Sequence, residues 1–184
     1  MRIISGSMRG TKLYTLDGIS TRPTLDRVKE SLFNIIQNKL KDSVVLDLFS
    51  GSGALAIESI SRGAKKAILC DKSNQAIKII KQNVDKTNCG NKVEIINKDY
   101  IKSLKLLEKE KFDIVFIDPP YDKNIAVDAV SRILDLDILS EDSIIVLETD
   151  DEKRELSALK EIKVNVYDLR KYGRVKLIFL NRKG

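Results

Sequence analysis

The sequence predicts an α/β protein with a mostly parallel sheet covered by helices on both faces. Three observations carry this. Between residues 43 and 159, short runs rich in β-branched residues alternate with stretches of helical periodicity. A glycine-rich turn follows the first of those runs, "SVVLDLF". The last two runs, "IKVNVYDL" and "VKLIFLN", are separated only by "RKYG", too little chain for a crossover helix. They should pair antiparallel as a hairpin at one sheet edge.

In order along the chain, "RIISGSMRGTKLYTL" places short extended pieces around Gly6 and Gly10 and reads as a β-hairpin with a basic tip. "TRPTLDRVKESLFNIIQNKL" reads as a helix whose apolar stripe is Leu25, Val28, Leu32, Ile35 and Ile36, extended by Leu40. Pro23 stands at its entrance, Thr24 is the expected cap, and Asp26 lies in the first turn. The alternation then runs strand "SVVLDLF", helix "GALAIESISR", strand "KAILC", helix "SNQAIKIIKQNVDK", strand "KVEII" and helix "YIKSLKLLEKE". It continues with strand "FDIVFI", helix "IAVDAVSRILD", strand "SIIVLET" and a short helix near Asp151 to Leu159. Gly173 marks the bend of the closing hairpin. The βαβ order requires parallel strands with right-handed crossovers.

A chain of 184 residues suits one domain with a small appendage and buries a sizeable core without disulfides. Cys70 and Cys89 are isolated and read as small apolar residues of a reducing compartment. The absence of histidine excludes a Ser-His-Asp triad, a His-ligated metal and a His general base. No apolar run is long enough for a membrane span, and the first ten residues lack the apolar core of a signal peptide, so the expected location is the cytoplasm. Lys and Arg number 33 against 27 Asp and Glu, leaving +6. The excess is uneven: Arg2, Arg9, Lys12 and Arg22 cluster early, and residues 170–184 carry basic residues and no acid. This permits an anionic partner, and basic ends equally serve solubility.

In doubly wound sheets ligands bind beyond the carboxyl ends of the strands, where the strand order reverses. The first strand leads into "LDLFSGSGALA", in which Gly51, Gly53 and Ala56 fit a dinucleotide fingerprint, and Asp71 follows at the end of the second. A nicotinamide dehydrogenase is the first reading. Asp47 argues against it, because a carboxylate before the glycine loop repels a pyrophosphate. S-adenosylmethionine has an adenosine but no phosphate, and its ammonium and sulfonium favour that carboxylate. Asp71 is then placed on the ribose, and Asp99 and the backbone N–H of Tyr100 on the adenine. By itself, Asp99 reads equally well as a helix N-cap.

The fourth strand ends in Asp118-Pro119-Pro120-Tyr121, two of the chain's three prolines. The prolines stop the strand and stiffen its exit. A carboxylate and a backbone carbonyl held there can accept both protons of an exocyclic amine and localise its lone pair, and Tyr121 offers a face on which the base stacks.

D-P-P-Y after the fourth strand and D-x-F-x-G-x-G after the first, with Phe49 in the third place, resemble the amino-group methyltransferases that use S-adenosylmethionine. "RIISGSMRGTKL", "TRPTLDRVKESLFNII", "VVLDLFSGSGALAIESISRGA" and "GRVKLIFL" resemble, more narrowly, the bacterial 16S ribosomal RNA guanine-N2 methyltransferases of the RsmD type. The resemblance implies a Rossmann-like methyltransferase domain over residues 21–184 with a basic β-hairpin extension over 1–20. It implies a seven-stranded sheet with an antiparallel last strand. S-adenosylmethionine is then the cofactor, S-adenosylhomocysteine the product, and no metal takes part. The partner is 16S ribosomal RNA in the small ribosomal subunit or its precursor, and the protein acts as a monomer. The implied cofactor residues are Asp47, Phe49, Gly51, Gly53, Asp71, Asp99 and Tyr100. The implied catalytic residues are Asp118 to Tyr121, and Arg22 matches a family arginine near the site. The alternatives are an adenine-N6 methyltransferase, which would share Asp118 to Tyr121, and a non-catalytic RNA-binding module.

Overall fold

A computed structural model describes residues 1–16, 23–120 and 124–183, with side chains from residue 25 in the second segment. The central elements are α1 (Pro23–Ile36), β1 (Val44–Asp47), α2 (Ala54–Ser61), β2 (Lys66–Cys70), α3 (Asn74–Thr87), β3 (Val93–Ile96) and α4 (Tyr100–Leu106). They continue as β4 (Phe112–Ile117), α5 (Ile125–Asp135), β5 (Leu139–Thr149), α6 (Glu152–Leu159), β6 (Val164–Tyr172) and β7 (Val175–Arg182). The seven strands form one sheet in the order β3-β2-β1-β4-β5-β7-β6. Strands β1 to β5 are parallel, β7 runs antiparallel to β5, and β6 pairs antiparallel with β7 at the edge. The predicted closing hairpin is present, with its turn at Gly173.

The two-residue period of the strands divides the core. Val45, Ile114, Phe116, Ile144 and Val146 pack with Val28, Leu32, Phe33, Ile57 and Ile80 on the face covered by α1, α2 and α3. Leu46, Val115, Ile117, Ile145 and Leu147 pack with Leu104, Val130 and Ile133 under α4 and α5 on the other. The predicted α1 stripe is buried at Val28, Leu32 and Ile36, and Leu40 follows it inward. Phe33, absent from that stripe, is fully buried against Phe116, with ring centroids 5.9 Å apart. Helix α1 already includes Pro23, so Thr24 lies inside its first turn and not at the cap.

The N-terminal piece is a short pair of antiparallel arms tied to the rest of the fold. Its two arms run antiparallel through the Arg2–Lys12 bridge, with the N–H groups of Ile3, Leu13 and Gly10 donating across to the carbonyls of Thr11, Met1 and Ile3, each at 2.9 Å. Near its tip the N–H groups of Ile4 and Ser5 donate to the Glu58 carboxylate of α2 at 2.8 and 3.0 Å. Gly6, at φ +88°, lies so close to α2 that a Cβ there would sit 1.9 Å from the Ser61 carbonyl oxygen. Nor is the piece freely exposed. Ile3 and Leu13 are buried in the α1–α3 core, and Met1 packs against it.

Candidate active site

The strand order reverses between β1 and β4, which lie side by side, with Asp47 paired to Phe116. Asp118 follows β4 by one residue. Glu148 comes from β5, one position beyond the Ile117–Leu147 pair. By the period of two, Asp47, Asp118 and Glu148 share the face of Val45, Phe116 and Val146. All three line one cavity of about 220 Å³, which Leu25, Val28 and Leu32 of α1 also line.

Asp47 is buried, and its Oδ2 accepts the Ser50 hydroxyl at 2.9 Å. Burial lifts its carboxyl to about 7, with the Asp71 charge acting the same way and the bonds from Ser50 and the Ala56 N–H opposing it. Asp118 is half-buried and raised well above the usual carboxylate range, first by loss of water and then by repulsion from Glu148 and Asp47. Three carboxylates held together against their own repulsion suit a cation and disfavour a phosphate. The donor set therefore fits S-adenosylmethionine and not a dinucleotide.

A second hollow of about 490 Å³ adjoins the first and shares Phe49, Gly51 and Asp118 with it. Asp71, Asp99, Tyr100, Pro119 and Pro120 line it, so the predicted ribose and adenine residues stand together. The Asp71 carboxylate accepts from the Gly51 N–H at 2.9 Å and the Ser73 N–H at 2.8 Å, bracing the glycine loop from β2. Gly53, in the left-handed region at φ +81°, caps α2 with no side-chain bond, and a Cβ there would meet Leu69 at 3.0 Å. Asp99 is indeed the N-cap of α4, accepting from the Lys102 N–H at 3.0 Å. That bond holds its carboxyl below the usual range. As first residue of α4, Tyr100 has no partner for its N–H inside the helix. Its ring packs on Phe49 at 5.5 Å, and its hydroxyl donates to Asp128 at 2.6 Å.

Other expectations fare unevenly. Tyr121 and Arg22 lie outside the described residues. Arg2, Arg9 and Lys12 are exposed, but Arg2 pairs with Asp26 at 3.6 Å, and its groove with Arg9 and Arg27 also holds Glu30. The basic C-terminus is largely neutralised: Arg170 pairs with Asp168, Lys171 with Glu152 and Arg182 with Asp137. Burial pushes the Cys70 thiol up to about 12, in keeping with an inert apolar residue. Among the described residues no group of three His, Cys, Asp or Glu could hold a metal ion.

Three features were missed in the sequence. Glu148 obeys the same rule as the other strand-end acids but stands in a generally acidic stretch. Glu58, fully buried on α2, accepts from Arg62 Nε at 2.7 Å and Lys29 Nζ at 3.1 Å besides the two hairpin amides. A lone acid in the apolar "ALAIESIS" was its available signal. Asn83, fully buried on α3, accepts from the Tyr14 N–H at 2.7 Å and donates to the carbonyls of Tyr14 and Ser52 at 3.0 and 2.8 Å. It ties the N-terminal piece to the glycine loop, and nothing in its sequence context marks it.

A doubly wound sheet with this order, acids at the exits of adjacent strands and D-P-P at the switch point define an S-adenosylmethionine-dependent methyltransferase. The family described as Conserved hypothetical protein 95 matches residues 1–181, and the chain belongs to that family, the RsmD type. It is 37% identical over 83% of its length, and 80% of the relative's, to Ribosomal RNA small subunit methyltransferase D of Haemophilus influenzae. It is 38% identical to the putative rRNA methyltransferase YlbH of Bacillus subtilis, over 83% of this chain and 84% of that one. Among solved structures, the putative methyltransferase yhhF from Escherichia coli matches with a TM-score of 0.84 and 28% identity, covering 100% of this chain and 98% of the other.

Proposed function

We propose that the protein transfers a methyl group from S-adenosylmethionine to the exocyclic N2 amine of one guanine in 16S ribosomal RNA, within the small ribosomal subunit or its precursor. The observation that carries this is the position of Asp118-Pro119-Pro120 at the switch point, bordering the hollow of Asp71 and Asp99 on one side and the acid-lined cavity on the other. The relatives named for small-subunit ribosomal RNA supply the substrate class. When bound, S-adenosylmethionine supplies a methyl group on a sulfonium. Asp47 balances that positive charge, Asp71 holds the ribose, and Asp99 with the Tyr100 N–H reads the adenine. Asp118 and the Pro119 carbonyl accept the two amine protons as the nitrogen becomes tetrahedral, and Tyr121 stacks the extruded base. The product nitrogen is acidic and loses its proton to Asp118 or to water, so the scheme calls for no metal. We further place the protein in the cytoplasm as a monomer; among the described residues no helix is long and apolar enough to cross a membrane.

The test is transfer of labelled methyl to small-subunit particles lacking the modification, with the RNA digested to nucleosides. N2-methylguanosine is the expected product. N6-methyladenosine would move the function to adenine, and no transfer by a protein that binds S-adenosylmethionine would leave a binding module.

A further inference from the structure

The Asp118-Pro119-Pro120-Tyr121 segment leads into α5, which opens at Ile125. Pro119, Pro120 and Ile125 line the cofactor hollow together with Phe49 and Tyr100. That hollow is therefore bordered by the first residues of two helices, Tyr100 of α4 and Ile125 of α5. Leu104 and Val130 bury the two helices in one apolar core. Apolar burial has no direction and does not by itself fix how one helix end stands against the other.

A directional contact does. The Tyr100 hydroxyl donates to Asp128 Oδ2 at 2.6 Å, and Arg132, one turn further along α5, donates its Nε–H to the same oxygen at 2.7 Å. The Arg132 bond chiefly holds the Asp128 carboxyl below its usual range, so the group stays an acceptor at neutral pH. The Arg132 and Asp128 side chains are 41% and 40% exposed, and an i, i+4 pair so open to water adds little to stability. The bond from Tyr100 differs in kind, because it crosses from α4 to α5. The same tyrosine ring packs on Phe49, just before the glycine loop. A ligand filling the hollow thus meets Phe49 and Tyr100, and Tyr100 bears on α5 through Asp128. We propose that Asp128 is a positioning residue that acts through Tyr100, tying α5 and the adjoining D-P-P-Y segment to the wall of the cofactor hollow, so that a filled hollow readies that segment for the RNA. The inference rests on the reading of the protein as a ribosomal RNA methyltransferase. It makes the two ligands cooperative: each strengthens the binding of the other by the same factor.

S-adenosylhomocysteine is the probe for the test, since it has the cofactor's adenosine but no methyl group to transfer. The affinity of the protein for small-subunit particles lacking the modification is measured without the probe and with it at saturation. The wild type should bind the particles at least about fivefold tighter with the probe present. Asp128→Ala should bring that ratio within about twofold of unity, and Tyr100→Phe, which loses only the hydroxyl, should do the same. Asp128→Asn keeps an oxygen for the hydroxyl and should recover most of the ratio. Arg132→Ala leaves the bond between the helices in place and should keep it. Affinity for S-adenosylhomocysteine alone and melting temperature, measured alongside, identify a variant that has merely lost its fold; should Asp128→Ala be one, Tyr100→Phe carries the test. A ratio near unity in the wild type overturns the inference. So does an undiminished ratio in Asp128→Ala or Tyr100→Phe, whatever happens to stability. Failure of the wild type to methylate these particles from S-adenosylmethionine would instead sink the underlying function.

Discussion

Replacing Asp71 by alanine removes two sets of interactions at once, and the structure allows them to be separated. In the protein alone, the carboxylate accepts from the Gly51 N–H at 2.9 Å and the Ser73 N–H at 2.8 Å. Ser73 is exposed, so water replaces the carboxylate there at little cost; Gly51 is half-buried and loses more. A hydrogen bond to a charged group is worth about 1.5–3 kcal/mol. After that allowance for solvent, Asp71→Ala should lower folding stability by about 1–2 kcal/mol in urea denaturation. Loss of the ribose contacts should cost about 1.5–3 kcal/mol more on cofactor binding, roughly a 10- to 150-fold rise in Kd by calorimetry. Asp71→Asn keeps one acceptor for the Ser73 N–H, so its stability should lie nearer the wild type while its Kd still rises. A stability loss with Kd within about twofold of the wild type would show that Asp71 only braces the glycine loop. No change in either would refute the geometry itself.

Other consequences can be checked with the same two measurements. Because burial raises the Asp47 carboxyl from its ordinary 3.8 to about 7, folding takes up a proton between those values, and this group's contribution to stability falls as pH rises through that window. Cofactor binding has the opposite sign, since a cation needs the ionised form: Kd should rise by up to about tenfold per pH unit below 7, and a flat titration would remove Asp47 from the cation's surroundings. Glu58→Gln leaves the buried Lys29 ammonium without its countercharge and should cost about 3–5 kcal/mol in urea; a loss under about 1 kcal/mol would show the network to be peripheral. Asn83→Asp turns two donated bonds into oxygen facing oxygen at Tyr14 and Ser52, and should lower stability by about 2–4 kcal/mol and weaken cofactor binding. Unaltered cofactor affinity would confine Asn83 to packing.

The sheet was legible because each of its strands obeys a local rule. "SVVLDLF", "KAILC" and "FDIVFI" are β-branched runs of strand length, and the proline pair ends the last of these at Asp118. The acids at the exits were legible through the sheet: once β1 and β4 are neighbours, Asp47 and Asp118 must meet. What stayed hidden depends on contacts between distant segments. Glu58 lies 54 positions from Ile4, and Asn83 lies 69 from Tyr14. No period or spacing encodes such pairs; the buried polar groups simply have to find partners once the core closes. The anchoring of the N-terminal hairpin was hidden for the same reason. Its glycines and cations are a surface signal, while the anchoring residues Ile3 and Leu13 give no pattern in so short a piece.

That anchoring changes how the RNA surface must be probed. Deleting residues 1–13 would strip Ile3 and Leu13 from the core and leave Glu58 without two of its donors. Lost RNA binding would then report a damaged fold as readily as a lost phosphate contact. Arg9 and Lys12 are exposed, and unlike Arg2 neither has an ion-pair partner among the described residues. Arg9→Ala with Lys12→Ala therefore removes charge and leaves the anchor intact. If these cations hold RNA phosphates, the double variant should bind RNA less tightly, with a salt dependence shallower by about one released counterion per contact, and cofactor affinity should not move. An unchanged salt slope would mean that the early cations are solvated surface. The N-terminal piece would then serve the site only from within, since its Met1, Thr15 and Leu16 line the acid-lined cavity and Glu58 and Asn83 hold it in place.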